Sequence, residues 1–266
     1  MTTDAALAAA ATLVAVAFGL STLDRWLRGG RAHELAWTVS LALFALGAGA
    51  LWWGAARGWS AASFRVFYLA GAVLNVPWLA LGTVYLLAGV HTGDRVRTWL
   101  IGLSGAAAGV VLVAPLRAAV SPDALPKGSE VFGPAPRLFA AVGSGAAAVV
   151  IIAGAVWSAA RVLRGRSPAL KGAASRQVGA PRRLALGNVA IAAGTIVLSA
   201  SGSLAGRLGE TRAFAVTLLV GVVLLFAGFL VASSRTPTAQ TSSLRNSLPA
   251  TLRGSTSTGS TLEGHL

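Results

Sequence analysis

Seven long stretches almost free of charged residues constrain this chain more than any other feature. They run over about 5–23, 35–55, 65–89, 97–116, 138–160, 184–205 and 213–232. Each is about 20 residues, which at a rise of ~1.5 Å per residue crosses a hydrocarbon layer of ~30 Å. In hydrocarbon every backbone polar group must be satisfied internally, so each stretch has to be helical. The pattern predicts an all-α polytopic membrane protein, a bundle of seven transmembrane helices with the lipid bilayer as its first partner.

Composition agrees. Hydrophobic residues make up 55% of the chain and charged residues 11%, with a mean hydropathy of +0.71. The net charge of +14 does not point to nucleic acid, because no basic segment is interleaved with aromatics as a binding surface requires. It reports orientation instead. Arg25, Arg28, Arg31, Arg95, Arg97, Arg161, Arg164, Arg166, Lys171, Arg176, Arg182, Arg183, Arg235, Arg245 and Arg253 fall in one set of alternate loops. Arg57, Arg65, Arg117, Lys127, Arg137, Arg207 and Arg212 fall in the other. The richer side is cytoplasmic by the positive-inside rule. The N-terminus is therefore expected outside and the C-terminus in the cytoplasm. No basic residue precedes the first apolar stretch, so the N-terminus does not have the pattern of a secretory signal peptide. Arginine outnumbers lysine by 20 to 2, a bias of GC-rich coding that points to a bacterial plasma membrane.

Several local features refine this picture. Trp26, Trp37 and Trp99 fall near the cytoplasmic ends of spans, and Trp52, Trp53 and Trp59 near the outer ends, the level that indole rings favour. The outer loop 118–136 contains Pro122, Pro126, Pro134 and Pro136, which preclude a long helix and leave either a small cap or a plain connector. Span 6 carries Asn188, Thr195, Ser199, Ser201 and Ser203 and so needs support from neighbouring helices. From about residue 234 the chain turns to Ser, Thr, Gly and Pro, with too little apolar surface to offset ordering entropy. The expected division is a transmembrane domain over 1–233 and a disordered Ser/Thr-rich cytoplasmic tail over 234–266.

Span 3 holds the candidate site. Phe64, Tyr68, Gly71, Asn75, Trp78, Gly82, Tyr85 and Gly89 recur at alternating spacings of four and three, a stripe along one helix face. Its glycines allow close helix approach and its polar members need partners. Pro77 removes a backbone donor and is expected to leave a carbonyl near residue 73 without its usual bond. Asn75, Pro77, Trp78 and Tyr85 are the candidate substrate-binding residues for a neutral small solute, since kinked helices at the midplane are where transporters place substrates. The competing expectation is a packing seam with Asn75 bonded to a neighbouring helix.

A second cluster is His33 and Glu34 at the start of span 2, with His91 and Asp94 after span 3. Imidazoles and carboxylates can hold zinc, but this spacing matches no tight ligand motif. Glu34 also suits the helix macrodipole. Gly105 and Gly109 in span 4 form a small-residue contact motif expected to be used inside the bundle.

Other classes lack their residues. With no Cys there is no disulfide, thiolate metal site or Cys nucleophile. The only lysines, Lys127 and Lys171, lie in loops, so no retinal Schiff base forms in span 7. His33, His91 and His265 lie at span ends or in the tail, which leaves no paired haem ligands and no buried Ser-His couple. No cofactor is implied and no enzymatic activity is expected. Asp94-Arg95-Val96 resembles the acidic-Arg motif of G-protein-coupled receptors. The likeness covers three residues, without an Asn-Pro in span 7 or a Pro in span 6. Two functions from different classes stand: a carrier for a neutral small solute, and a non-catalytic sensory or partner subunit. The second would work through the basic loop 161–183, as a protein-partner surface, and the tail.

Overall fold

The structure is a computed structural model that describes residues 3–163, 186–187, 189–198 and 211–233. Most of the 161–183 loop, Asn188, Ser199, Ser201, Ser203 and the 234–266 tail lie outside the described residues. The described chain is helical: α1 (Thr3–Gly29), α2 (Ala32–Arg57), α3 (Ala61–Phe67), a π-helical stretch (Tyr68–Leu74), α4 (Asn75–Val113), α5 (Gly128–Val131), α6 (Pro134–Leu163), α7 (Val189–Leu198) and α8 (Thr211–Ser233). Among the described residues five helical segments are long and apolar enough to cross a membrane: Thr3–Gly29, Ala32–Arg57, Ala61–Val113, Pro134–Trp157 and Ala213–Val231. The chain is a membrane-embedded helical protein.

The segment Ala61–Val113 has 53 residues. A straight helix of that length would span about 80 Å, far more than a bilayer. It does not run straight. Gly89 has φ 83° and ψ 175°, a conformation open to glycine and strongly disfavoured for residues with a Cβ. The chain reverses there. Arg65 reaches the carbonyl of Val111, the Trp78 indole N–H donates to Ser104 Oγ at 3.2 Å, and the Tyr85 hydroxyl donates to Asp94 Oδ1 at 2.8 Å. As one index rises the other falls, which is the signature of two antiparallel legs. We refer to 61–88 as the first leg and 90–113 as the second. The cytoplasmic loop expected over 90–96 is therefore absent: helix resumes directly after Gly89, and the charged groups it carries are accommodated because this end of the second leg is largely exposed.

α1 and α2 also pack antiparallel. Thr38 Oγ1 donates to Thr22 Oγ1 at 3.0 Å, and a Cβ on Gly19 would lie 3.5 Å from Leu41 Cβ. α8 lies against this pair through successive layers: Ala11, Ala15, Phe44, Ala48 and Val222, then Phe18, Leu41, Leu225 and Phe229. α7 packs on α8 at backbone distance. A Cβ on Gly194 would stand 2.9 Å from the Gly221 carbonyl, and one on Gly228 would stand 2.9 Å from the Ile191 nitrogen. Thr195, one of the polar residues of span 6, is buried and donates to the Ile191 carbonyl at 2.9 Å.

The loop after the second leg is a cap. The Trp59 N–H donates to the Pro122 carbonyl at 3.0 Å, the Arg117 N–H donates to the Val131 carbonyl at 2.9 Å, and Leu116 bridges to Phe132. These bonds seat Phe132 among Trp59, Phe64 and Tyr68. Trp59 is consequently 5% exposed. It is a core residue under the cap and not the interfacial indole expected from its position.

Candidate functional site

The helical ladder of the first leg is disturbed twice within ten residues. Over Tyr68–Leu74 the helix widens to π geometry, and the Asn75 N–H bonds back five residues to the Ala70 carbonyl. Pro77 then has no N–H to offer Val73. Carbonyls in such a stretch need other donors when they lie in an apolar bundle. Two serines from flanking helices bond to carbonyls in and beside this stretch. Ser40 Oγ, from α2, lies 3.0 Å from the Asn75 carbonyl oxygen and 2.8 Å from Asn75 Oδ1. Ser144 Oγ, from α6, donates to the Ala72 carbonyl. Small residues bring these helices near. A Cβ on Gly47 would stand 3.0 Å from the Gly71 Cα, and one on Gly143 would stand 3.7 Å from Pro77 Cγ and 3.9 Å from the Val73 carbonyl oxygen.

Asn75 is 7% exposed and faces the protein, as the cost of an unpaired amide in hydrocarbon requires. Trp78 is partly buried, with its indole N–H on Ser104 of the second leg. Tyr85 is buried, with its ring over Gly93 and its hydroxyl on Asp94, which also pairs with Arg97 at 3.3 Å. Trp37 closes over Gly82 from α2. The candidate residues address different neighbours: Asn75 bonds to α2, Pro77 lies against α6, and Trp78 and Tyr85 bond to the second leg.

The residues of the second cluster are placed apart in their contacts. His33 packs edge-on against Trp37, with ring centroids 5.2 Å apart. Glu34 Oε1 lies 3.9 Å from Arg31 Nη1 and 4.0 Å from His33 Nε2. Its other oxygen, Oε2, is buried without a hydrogen-bond partner among the described residues. Asp94 belongs with Tyr85 and Arg97, and His91 is exposed. Among the described residues no group of three or more His, Cys, Asp and Glu gathers as a metal set.

Ser40, Ser104 and Ser144 were not singled out by the sequence reading. The available signal was a hydroxyl inside an apolar span, which needs a partner in hydrocarbon. Ser40→Ala is expected to lower stability by about 1 kcal/mol, seen as a fall of roughly 2–4 °C in the detergent melting temperature. Asn75→Ala is expected to have a similar effect. The double variant should lose less than the sum, because both changes remove one bond. Additive losses would mean that the two side chains act independently.

No protein-family model, curated protein or solved structure matches this chain.

Proposed function

We propose that this chain is a seven-span protein of a bacterial plasma membrane, N-terminus outside and C-terminus cytoplasmic, acting as a non-catalytic sensory or partner subunit. The count is supported by the reversal at Gly89, which gives two legs from one segment, and by α7 running antiparallel to α8. The orientation rests on the basic residues. The observation that carries the functional reading is the closed contact at Asn75. Ser40 engages both of its oxygens, and Gly47 meets Gly71 at backbone distance. A seam of this kind holds helices in fixed register and leaves recognition to the basic 161–183 loop and the tail.

The chain has no cysteine, so single introduced thiols give a clean test. In intact cells an impermeant maleimide should label Ser121→Cys and leave Ser167→Cys unlabelled. A permeant bifunctional crosslinker should then give Ser167→Cys a discrete heavier adduct. That adduct should be lost when the loop is scrambled with its basic residues retained. Absence of any adduct would overturn the partner reading.

A second reading, a carrier for a neutral small solute, is favoured by the π-helical stretch and Pro77 together, since such irregularities recur at functional sites. It requires Asn75→Ala to slow solute flux into proteoliposomes without loss of fold. Glycerol and urea are the first probes.

A further inference from the structure

A groove of about 540 Å³ opens where the second leg ends and α6 begins. Its walls are almost wholly apolar: Gly109, Val110 and Val113 on one side, Pro134 and Pro136 on the other. Gly109 was expected to pack inside the bundle. Instead no described residue lies within 4 Å of where its Cβ would be, and the same is true of Gly105. Val113 is 82% exposed. From Gly109 to Pro115 the groove runs roughly 9 Å along the helix axis, from the end of the span into hydrocarbon depth.

One cation stands at its mouth. The backbone of Arg117 is fixed by its bond to Val131, and its side chain lies flat on Gly133, where a Cβ would meet Nε at 3.5 Å. Arg117 is exposed. Among the described residues no carboxylate pairs with it; nearby Glu130 is taken by Lys127 at 3.2 Å. The N-terminus of the 30-residue helix α6 adds the positive end of its dipole to the same wall. An apolar trough in a membrane-embedded protein, ending in an unneutralised guanidinium at headgroup level, matches a lipid whose head is anionic and whose tail is hydrocarbon.

We infer that this groove is a binding site for an anionic phospholipid of the surrounding bilayer, its phosphate held by Arg117 and an acyl chain laid over Gly109. Arginine suits the role because its planar fork can donate two parallel hydrogen bonds to one phosphate. Gly109 suits it because any side chain would fill the trough.

The test is native mass spectrometry of the full chain released from nanodiscs of phosphatidylglycerol or phosphatidylcholine with identical acyl chains. The wild type should retain one phosphatidylglycerol and no phosphatidylcholine. Arg117→Gln should reduce that occupancy about tenfold, the worth of a charge-assisted hydrogen bond. Gly109→Leu should reduce it by a similar factor while leaving the guanidinium in place. Both positions are exposed, so both variants should keep the helical circular dichroism of the wild type. Equal retention of the two lipids would overturn the headgroup assignment. Occupancy unchanged in either variant would overturn the site.

Discussion

Phe64→Ala is expected to lower the stability of the bundle by about 3–5 kcal/mol, the usual cost of deleting a buried phenyl ring. Phe64 has no exposed surface. Its ring centroid lies 5.4 Å from Phe132, 5.9 Å from Tyr68, 6.2 Å from Trp59 and 6.3 Å from Phe67. These rings come from the start of the first leg, the turn before it and the cap, so one deletion loosens three segments at once. Surrounding rings cannot collapse onto the void easily, since Trp59 is tied to Pro122 and Phe132 to Gly128 through the backbone. The melting temperature in detergent should fall by roughly 6–20 °C. A fall below about 2 °C would mean that the aromatic cluster is not packed as described.

The cluster illustrates what could be read in advance. Pro122 and Pro126 lie in a stretch without a long helix, whereas Pro134 and Pro136 stand in the first turn of α6, where a missing N–H removes no helical bond. That the loop docks, however, depends on Phe132, a lone aromatic whose burial needs a partner surface that sequence spacing does not reveal. The inward face of the first leg was legible because the Asn75 amide has no stable place in lipid. Its partners were not legible, since which serine of α2 or α6 meets an irregular carbonyl depends on helix register and on the π-helical stretch. Tyr68–Leu74 has no composition that marks it as irregular. Trp59 was misplaced for a related reason: an indole at a span end suits the interface until a cap covers it.

Gly89 shows the opposite limit. The charges of His91, Asp94, Arg95 and Arg97 read as a loop, because charged groups are costly within a span. In the structure they lie on the first turns of the second leg, near the reversal and mostly exposed, where helix and hydration are compatible. Periodicity continues through Gly89 and so cannot mark the turn. A single residue with positive φ separates an 80 Å rod from a hairpin, and in the sequence it is the charges after it, together with length against bilayer thickness, that argue for the second.

Arg65→Met tests that hairpin directly and is expected to cost about 2–4 kcal/mol. Arg65 sits in the first leg, yet its guanidinium donates to the carbonyls of Val111, Leu112 and Ala114 at 2.5, 2.5 and 2.8 Å. These are carbonyls at the C-terminus of the second leg, which helical geometry leaves without intrahelical donors. The positive charge also opposes the negative end of the helix dipole. One side chain therefore replaces a C-cap across the two legs. Methionine keeps most of the apolar stem and removes every donor, so the loss reports the bonds and not the packing. Arg65→Lys should recover part of it, since an ammonium supplies charge and donors without the planar fork. The melting temperature should fall by roughly 4–15 °C for Met and by clearly less for Lys. In a continuous helix the two ends would lie about 70 Å apart, 46 residues along the axis, and neither substitution would have anything to break. Arg65→Met within 1 °C of the wild type would therefore remove the reversal at Gly89, and with it the support for seven spans.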